Sequence, residues 1–295
     1  MENSDGEKKI KIDSSYLEKI NKEKKMDSYF GDWIKNTEGL REQFLNGKPF
    51  ENLIIDNFLE TSYAEKLSFL FPKNHDNWYY YENPIEVKYA FDNIEELPEE
   101  LKNYFYYLSS SYIIQKIADI TNISDLEYDE YLHGAGLHSH PRYGRLNVHL
   151  DYEKHPYSGK ERRINIIFFL NKEWDNSWNG ANELWGNCVS KDCIKKTQVK
   201  FNRAIIFKTN DISYHGLPKK IMCPENIFRN TLAYYYVSPL QTDKNENDYR
   251  KKAKFIKAPN EPYNKNMEEL YEIRRNRRIT KQDLNMFFPL WKKED

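Results

Sequence analysis

The chain has few cysteines, no long apolar run and no excess of charge of either sign. Only Cys188, Cys193 and Cys223 occur among its 295 residues, and no two of them form a CxxC pair. An odd number of cysteines without such a pair is typical of free thiols in a reducing compartment. No apolar run approaches the roughly 20 residues of a membrane-spanning helix, and the N-terminus lacks the pattern of a signal peptide. We therefore expect a soluble, cytoplasmic protein without a membrane partner.

The charge balance argues against nucleic acid as a partner. The formal net charge is −1, whereas a general nucleic-acid-binding protein usually carries a clear excess of basic residues. Aromatic residues make up 15% of the chain and include 23 tyrosines, so material for a core is plentiful. The length is sufficient to bury a substantial core in one large domain.

The pattern along the chain predicts one α+β domain with a charged segment at each end. Residues 1–45 are dense in charge and are expected to form a partly flexible N-terminal arm that is frayed or weakly helical. The domain itself is expected to span 46–240, with helical support over 46–125 and a β-rich core over 126–240. Residues 241–295 are expected to form a polar, partly helical C-terminal extension.

Hydrophobic periodicity supports this division. Apolar residues recur at helical spacing over 98–120, which predicts a helix there, and a second helix is predicted around 265–278. Between them, turn residues separate short β-like segments, which is typical of a β-sandwich or barrel. The predicted strands are 127–133, 145–151, 163–170, 182–185, 203–208, 213–217 and 229–237.

The most informative motif is a histidine followed two residues later by a carboxylate, with a second histidine far downstream. His149 and Asp151 lie in a predicted strand, where residues i and i+2 project from the same face. His215 lies in another predicted strand and could complete a three-ligand metal site. Two histidines and one carboxylate on one face of a metal leave other coordination positions open, as expected of non-haem Fe(II) oxygenases.

Arg229 opens the apolar strand that follows the second histidine. The planar guanidinium of an arginine can bind a carboxylate through two parallel hydrogen bonds. An arginine beside the last metal ligand is therefore well placed to hold the far carboxylate of a dicarboxylate cosubstrate.

Several segments follow one another in an order that is typical of a known family. They are His149-Leu150-Asp151, the run RRINIIFFLNKEW at 162–174, the run FNRAIIF at 201–207, Ser213-Tyr214-His215-Gly216 and the strand that begins at Arg229. In this order they resemble the prolyl 4-hydroxylase-like branch of the 2-oxoglutarate/Fe(II)-dependent dioxygenases. The resemblance covers residues 127–238 closely and the helical part from about residue 50 more loosely.

The resemblance implies a double-stranded β-helix (jelly-roll) core with supporting N-terminal helices. It implies His149, Asp151 and His215 as the catalytic Fe(II) ligands and Arg229 as the partner of the far carboxylate of 2-oxoglutarate. The cosubstrates would be 2-oxoglutarate and O₂, with ascorbate as a reductant. The enzyme would hydroxylate an unidentified substrate and release succinate and CO₂. That substrate would be a prolyl or other protein side chain, or a small molecule.

One position departs from the pattern of this family. Relatives that hydroxylate proline often carry a tyrosine where this chain has Phe169, and that tyrosine shares the far carboxylate with the arginine. A phenyl ring offers no hydrogen bond. We therefore expect Asn165 or Thr231 to take this part, or Arg229 to act alone. The Gly-Gly that usually precedes the fourth core strand is Asn179-Gly180 here, and both residue types tolerate a positive φ.

Two further residues, His138 and Asn147, are candidates with more than one interpretation. His138 could bind the keto-acid end of 2-oxoglutarate, could form a second metal pair with His140, or could be an ordinary loop histidine. Asn147 precedes His149 by two residues and so shares its face. It could orient the cosubstrate or the substrate, or it could be a core amide with satisfied hydrogen bonds. His155 is expected at the surface.

Two other functions stay open at this point. A catalytically inactive β-helix protein could bind a ligand or stabilise an assembly, but the presence of all four residues of the predicted site argues against it. A cupin-like metal-binding protein could work without 2-oxoglutarate. Arg229 and the spacing of His149 and Asp151 argue against that alternative.

Overall fold

Antiparallel strands and short helices alternate along the chain in the computed structural model. The structure describes residues 11–23, 26–186, 195–241, 244–245, 248–258 and 261–294. Two of the three cysteines, Cys188 and Cys193, lie outside these residues. The third, Cys223, is buried and is not part of a disulfide.

The elements are numbered in chain order. The α-helices are α1 (Ser14–Ile20), α2 (Thr37–Leu45), α3 (Thr61–Leu70), α4 (Glu99–Ser109), α5 (Ser111–Thr121), α6 (Lys265–Asn276) and α7 (Lys281–Phe287). The strands are β1 (Asn52–Asp56), β2 (Tyr79–Glu82), β3 (Glu86–Phe91), β4 (Glu127–Tyr128), β5 (Gly136–His140), β6 (Arg145–Leu150), β7 (Glu161–Phe169), β8 (Asn182–Gly186), β9 (Lys195–Thr197), β10 (Arg203–Lys208), β11 (Tyr214–Leu217), β12 (Arg229–Ser238) and β13 (Lys254–Phe255). Across the described ranges, none of these helices has the length and apolar character needed to cross a lipid bilayer.

The strands form one antiparallel sheet that folds over on itself. Its order is β1-β10-β7-β12-β5-β3-β6-β11-β8-β9, with β2 beside β3, β4 beside β12 and β13 beside β6. One half is centred on β7 and β12, and the other half is centred on β6 and β11. Strand β3 connects them because it pairs with both β5 and β6. This is the double-stranded β-helix with N-terminal helices that the sequence predicts, and the predicted α+β class is confirmed.

Helices α1 to α5 cover the outer face of the half that contains β7 and β12. Side chains alternate along a strand, so Tyr234 and Tyr236 face the helices while their neighbours face the interior. The Tyr234 hydroxyl lies 2.7 Å from Ser109 Oγ, and the Tyr236 hydroxyl donates to the Leu108 carbonyl at 2.8 Å. Burial of this aromatic layer is the main contribution to the core, because the free energy of burial scales with the apolar area removed from water.

Most of the predicted strands are confirmed, and the exception lies at 127–133. Only Glu127–Tyr128 is a strand there, because Leu132 has a φ of 49° and Gly134 a φ of 77°. Such left-handed conformations interrupt an extended chain. The prediction also missed β5, since its sequence GLHSH alternates small and polar residues and resembles a loop.

The single helix predicted over 98–120 is wrong, since the structure has two helices. Ser110 is extended, with a ψ of 146°, and separates α4 from α5. Its hydroxyl accepts a hydrogen bond from the Ile113 amide at 3.3 Å, which is the ordinary role of a serine at a helix N-cap. The apolar periodicity continues across the break and therefore hides it.

The N-terminal segment differs from the expected frayed arm over residues 11–45. It contains two helices, and Ile12, Leu17, Trp33 and Phe44 are all buried in the main core. The indole of Trp33 stacks on Phe58, with ring centroids 5.2 Å apart, and donates to the Phe58 carbonyl at 2.7 Å. This part of the segment is therefore packed as the rest of the core is.

We expect Trp33→Ala to lower the free energy of unfolding by about 3–5 kcal/mol, the usual effect of truncating a buried aromatic residue. Urea denaturation of the full chain, followed by circular dichroism, measures this. Phe69→Ala is the matched control because Phe69 is 79% exposed, and it should change stability by less than about 0.5 kcal/mol. Similar small effects of both substitutions would contradict an N-terminal segment packed into the core.

Candidate active site

Two histidines of the predicted site face each other across neighbouring strands. His149 on β6 and His215 on β11 are direct partners in the antiparallel register. Side chains of directly paired residues project from the same face of a sheet, and the two imidazole centroids lie 4.4 Å apart. Asp151 follows His149 by two residues and reaches the same point. The strand pairing thus brings the three predicted residues together.

The ligand-type atoms of His149, Asp151 and His215 all lie within 4.8 Å of one another, and all three residues are buried. His149 Nε2 is 3.6 Å from one carboxylate oxygen of Asp151, and His215 Nε2 is 3.5 Å from the other. Over the residues that the structure describes, no other group of three histidine, cysteine or acidic side chains converges in this way.

Backbone carbonyls fix which nitrogen of each imidazole carries the proton. His149 Nδ1 lies 2.9 Å from the carbonyl oxygen of Asn147, and His215 Nδ1 lies 2.8 Å from that of Ser213. Because a carbonyl oxygen only accepts, Nδ1 donates in both rings, and Nε2 of the neutral ring keeps a free lone pair. Burial, together with His149, lowers the pKa of His215 to about 4, so this ring is neutral at physiological pH.

Asp151 is held as a carboxylate by two side chains of β7. Asn165 Nδ2 donates to Asp151 Oδ2 at 2.7 Å, and Arg162 Nη2 lies 3.3 Å from the same oxygen. Burial alone would raise the pKa of Asp151, but Arg162 and the histidines outweigh it and hold the pKa well below its usual value. A negative charge and two imidazole nitrogens therefore converge on one point, which suits a divalent cation.

The sequence analysis did not identify Arg162 as part of the site. Its guanidinium carbon lies 3.2 Å from the ring centroid of Tyr235 and 4.7 Å from that of Tyr152, and its Nε donates to Asn165 Oδ1 at 2.9 Å. Only 2% of Arg162 is exposed. The available signal was a charged residue at the start of an otherwise apolar strand, because a buried arginine requires an anionic partner.

Arg229 is buried at the start of β12 without an anionic partner among the described residues. Its Nε donates to the Gly180 carbonyl at 2.6 Å, and its guanidinium carbon lies 5.0 Å from the Phe169 ring centroid. In the described part of the chain, its Nη2 has no hydrogen-bond partner. Burial lowers the pKa of Arg229 to about 9. An unpaired buried cation is costly, so the site is suited to an anion.

Gly180 and its neighbour have the backbone conformation that the sequence suggested. Asn179 has a φ of 65° and Gly180 a φ of 87°. A Cβ at position 180 would lie 3.1 Å from Trp174 and 3.2 Å from the Arg229 side chain. The glycine thus permits the close approach of its carbonyl to Arg229.

The other predicted residues divide between two regions of the interior. Thr231 pairs in register with both His138 and Phe169, so these three share the interior face with Arg229. Asn165 instead contacts Asp151, as described above, and the Asn147 amide donates to the Tyr271 hydroxyl at 3.1 Å. The hydrogen bond of Asn147 matches the alternative of a satisfied core amide.

The expectation that His155 lies at the surface is wrong. The residue is fully buried, and its Nε2 lies 3.1 Å from Asp129 Oδ1. Its Nδ1 accepts hydrogen bonds from the backbone amides of Tyr157 and Ser158. It therefore organises the loop that follows β6 and lies outside the three-residue cluster.

Comparisons with known proteins agree with this geometry. Residues 135–237 match the sequence model of the 2OG-Fe(II) oxygenase superfamily. The match covers about a third of the chain, so this segment is similar to that superfamily. The matched segment includes His149, Asp151, His215 and Arg229, and the prediction of an enzyme of this superfamily is confirmed. Among curated proteins, none matches the sequence.

Several solved structures have a similar fold. A prolyl hydroxylase from Trichoplax adhaerens, in complex with a peptide fragment of the oxygen degradation domain of hypoxia inducible factor, is 17% identical with a TM-score of 0.52, and the match covers 74% of this chain and 95% of that one. A Pseudomonas putida prolyl-4-hydroxylase is 12% identical with a TM-score of 0.46, over 70% of this chain and 100% of the other. The viral collagen prolyl hydroxylase of Paramecium Bursaria Chlorella virus-1 is 12% identical with a TM-score of 0.41, over 64% and 96%. At these identities the similarity is one of fold.

We expect Arg162→Met to lower the free energy of unfolding of the metal-free full chain by about 3–5 kcal/mol, because it leaves the buried charge of Asp151 without a cation beside it. Adding Asp151→Asn to this variant should restore part of the loss. Urea denaturation in the presence of a chelator measures both.

Arg163→Met is the control, because Arg163 is half-buried and donates to the Ser238 hydroxyl at 2.9 Å. Its loss should cost about 0.5–1.5 kcal/mol. If Asp151→Asn restored no stability to the Arg162→Met protein, the charge pair would not be the cause of the loss.

Proposed function

We propose that this protein is an Fe(II)- and 2-oxoglutarate-dependent oxygenase that hydroxylates an organic substrate. The observation that carries the proposal is the coexistence of two features in one buried interior. His149, Asp151 and His215 present three converging lone pairs, and Arg229 presents a cation with an unsatisfied donor. A metal cation fits the first feature and a carboxylate fits the second.

His149, Asp151 and His215 would hold Fe(II) through the two Nε2 atoms and the carboxylate. Fe(II) with bound 2-oxoglutarate supplies the oxidising chemistry, in which O₂ is consumed, succinate and CO₂ are released and the substrate gains a hydroxyl group. The residues around the site contribute orientation and charge. The Asn147 and Ser213 carbonyls keep both rings in the tautomer that leaves Nε2 free, an arrangement that is usual for metal-binding histidines.

Arg229 would bind the far carboxylate of 2-oxoglutarate through its unsatisfied Nη2. The Phe169 ring lies against the guanidinium and would stabilise its positive charge, since the face of an aromatic ring attracts a cation. Thr231, the cross-strand partner of Phe169, would supply a hydroxyl near the same carboxylate. His138, the cross-strand partner of Thr231, would line the wall beside the cosubstrate. Exclusion of water from this interior strengthens each charge-assisted hydrogen bond.

A prolyl side chain in a peptide is the first substrate class to test. The Trichoplax protein, whose fold is similar, is a prolyl hydroxylase in complex with a peptide. That similarity supports the fold, and the choice of substrate is our proposal. Another protein side chain and a small molecule are the other two arms of a substrate screen, with ascorbate as the reductant in each arm.

We expect an anaerobic titration of the protein with Fe(II) and 2-oxoglutarate to produce the weak visible charge-transfer band of the chelate, and admission of O₂ to produce succinate. His149→Ala should abolish both signals because it removes one of three metal ligands. Arg229→Gln should keep Fe(II) binding but weaken 2-oxoglutarate binding by about 10-fold or more, since a charge-assisted hydrogen bond contributes roughly 1.5–3 kcal/mol.

Arg163→Gln is the matched control for Arg229→Gln, because Arg163 bonds Ser238 and not a residue of the site. It should leave both signals unchanged. Fe(II) binding by the wild-type protein without the band would overturn the use of 2-oxoglutarate and favour a cupin-like metal protein. Succinate formation by a metal-free His149→Ala protein would overturn the assignment of the metal site.

A further inference from the structure

A segment near the C-terminus lies against the back of the predicted metal site. It comprises residues 248–258, which include β13, and residues 261–276, which include α6. Both stretches lie wholly beyond residues 135–237, which match the oxygenase superfamily. Three independent contacts join it to the strand that carries His149 and Asp151.

The first contact is a strand pairing. Strand β13 adds to β6, with Lys254 opposite Leu150 and Phe255 opposite His149. The Ile256 amide donates to the Val148 carbonyl at 3.0 Å and extends this pairing. Strand β6 is thereby supported by β13 as well as by β11.

The second contact is an aromatic stack on the imidazole itself. The Phe255 ring lies 4.9 Å from the His149 ring at an interplanar angle of 20°. Only 1% of Phe255 is exposed. The imidazole of His149 therefore has Phe255 as one neighbour and the His215 ring, at 4.4 Å, as another. Contacts of this kind restrict the rotation of the His149 ring about its side-chain bonds.

The third contact is a pair of hydrogen bonds, one to the residue two positions before His149 and one to the residue two positions after it. The Tyr271 hydroxyl, on α6, accepts a hydrogen bond from the side-chain Nδ2 of Asn147. The main-chain carbonyl of Asn147 in turn accepts from His149 Nδ1. At the other end, Arg250 Nε donates to the carbonyl oxygen of Asp151 at 2.6 Å. Asn147 and Asp151, which lie two residues before and two residues after His149, thus both accept a hydrogen bond from, or donate one to, the C-terminal segment.

We infer that Phe255 and Tyr271 are positioning residues of the metal site, so that the C-terminal segment completes a site whose ligands all lie elsewhere. Phe255 sets the orientation of the His149 ring directly, and Tyr271 does so through Asn147. This inference rests on the proposed function, because it requires that His149 bind a metal. Residues that orient metal ligands typically change metal affinity by about 10-fold to 100-fold when they are replaced.

The test is a titration of the full chain with Co(II) in place of Fe(II), which needs no turnover. Absorbance gives the dissociation constant, and the position and intensity of the visible d–d bands report the coordination geometry. Phe255→Ala should weaken Co(II) binding by about 10-fold to 100-fold and alter the bands. Phe255→Tyr keeps the ring and should restore most of the affinity. Tyr271→Phe, which preserves shape and packing, should weaken binding in the same direction.

Leu270→Ala is the matched control for loss of packing. Leu270 is fully buried in the same apolar cluster as Phe255 and Tyr271, so its truncation should lower thermal stability as Phe255→Ala does. It should leave the affinity and the bands of Co(II) unchanged, because no ring contact or hydrogen bond joins it to His149 or Asn147 within the described residues.

The outcomes separate the inference from the proposed function. If wild-type protein binds Co(II) and Phe255→Ala and Tyr271→Phe bind it equally well, the inference is overturned and the proposed function stands. If Leu270→Ala weakens binding as much as Phe255→Ala does, the segment supports only the fold and the inference is again overturned. If the wild-type protein binds no Co(II), both the proposed function and the inference are overturned.

Discussion

The site depends on the register of a single strand. His149 on β6 faces His215 on one side and Phe255 on the other, each as its direct partner across an antiparallel pair. A slip of one residue would turn His149 and Asp151 out of the interior and bring Leu150 in, since side chains alternate along a strand. The pairing of β6 with β3, β11 and β13 opposes such a slip. The convergence of the three side chains is therefore a property of the sheet.

The two buried charges of the interior, on Asp151 and on Arg229, differ in the partners that surround them. Asp151 has Arg162 and Asn165 as partners, so it is an anion before any ligand binds. Arg229 has only a carbonyl and a ring face. The charge of Asp151 has a cation beside it, whereas the charge of Arg229 has no anion beside it among the described residues. The interior is therefore complementary to a metal near Asp151 and to an anion near Arg229.

The sequence predicts the parts of the site that depend on short-range spacing. His149 and Asp151 two residues apart, and Arg229 at the start of an apolar strand, follow from strand periodicity alone. Phe255 and Tyr271 could not be predicted in this way, because they reach β6 through pairing and packing between segments far apart in the chain. Strand β5 and the break at Ser110 were missed for a different reason, since each follows a local pattern that is common in other structures.

The hydrogen bond between Arg229 and Gly180 has a consequence for selection among dicarboxylates. The guanidinium donates a hydrogen bond to a main-chain oxygen. Its position in the interior therefore depends on the backbone conformation of the turn and not on a second side chain. The metal end is set by β6 and β11, and the cation end is set by the turn at Asn179 and Gly180. The main chain therefore sets the distance between these two ends. Under the proposed function, a dicarboxylate shorter or longer by one methylene group would reach one end and miss the other.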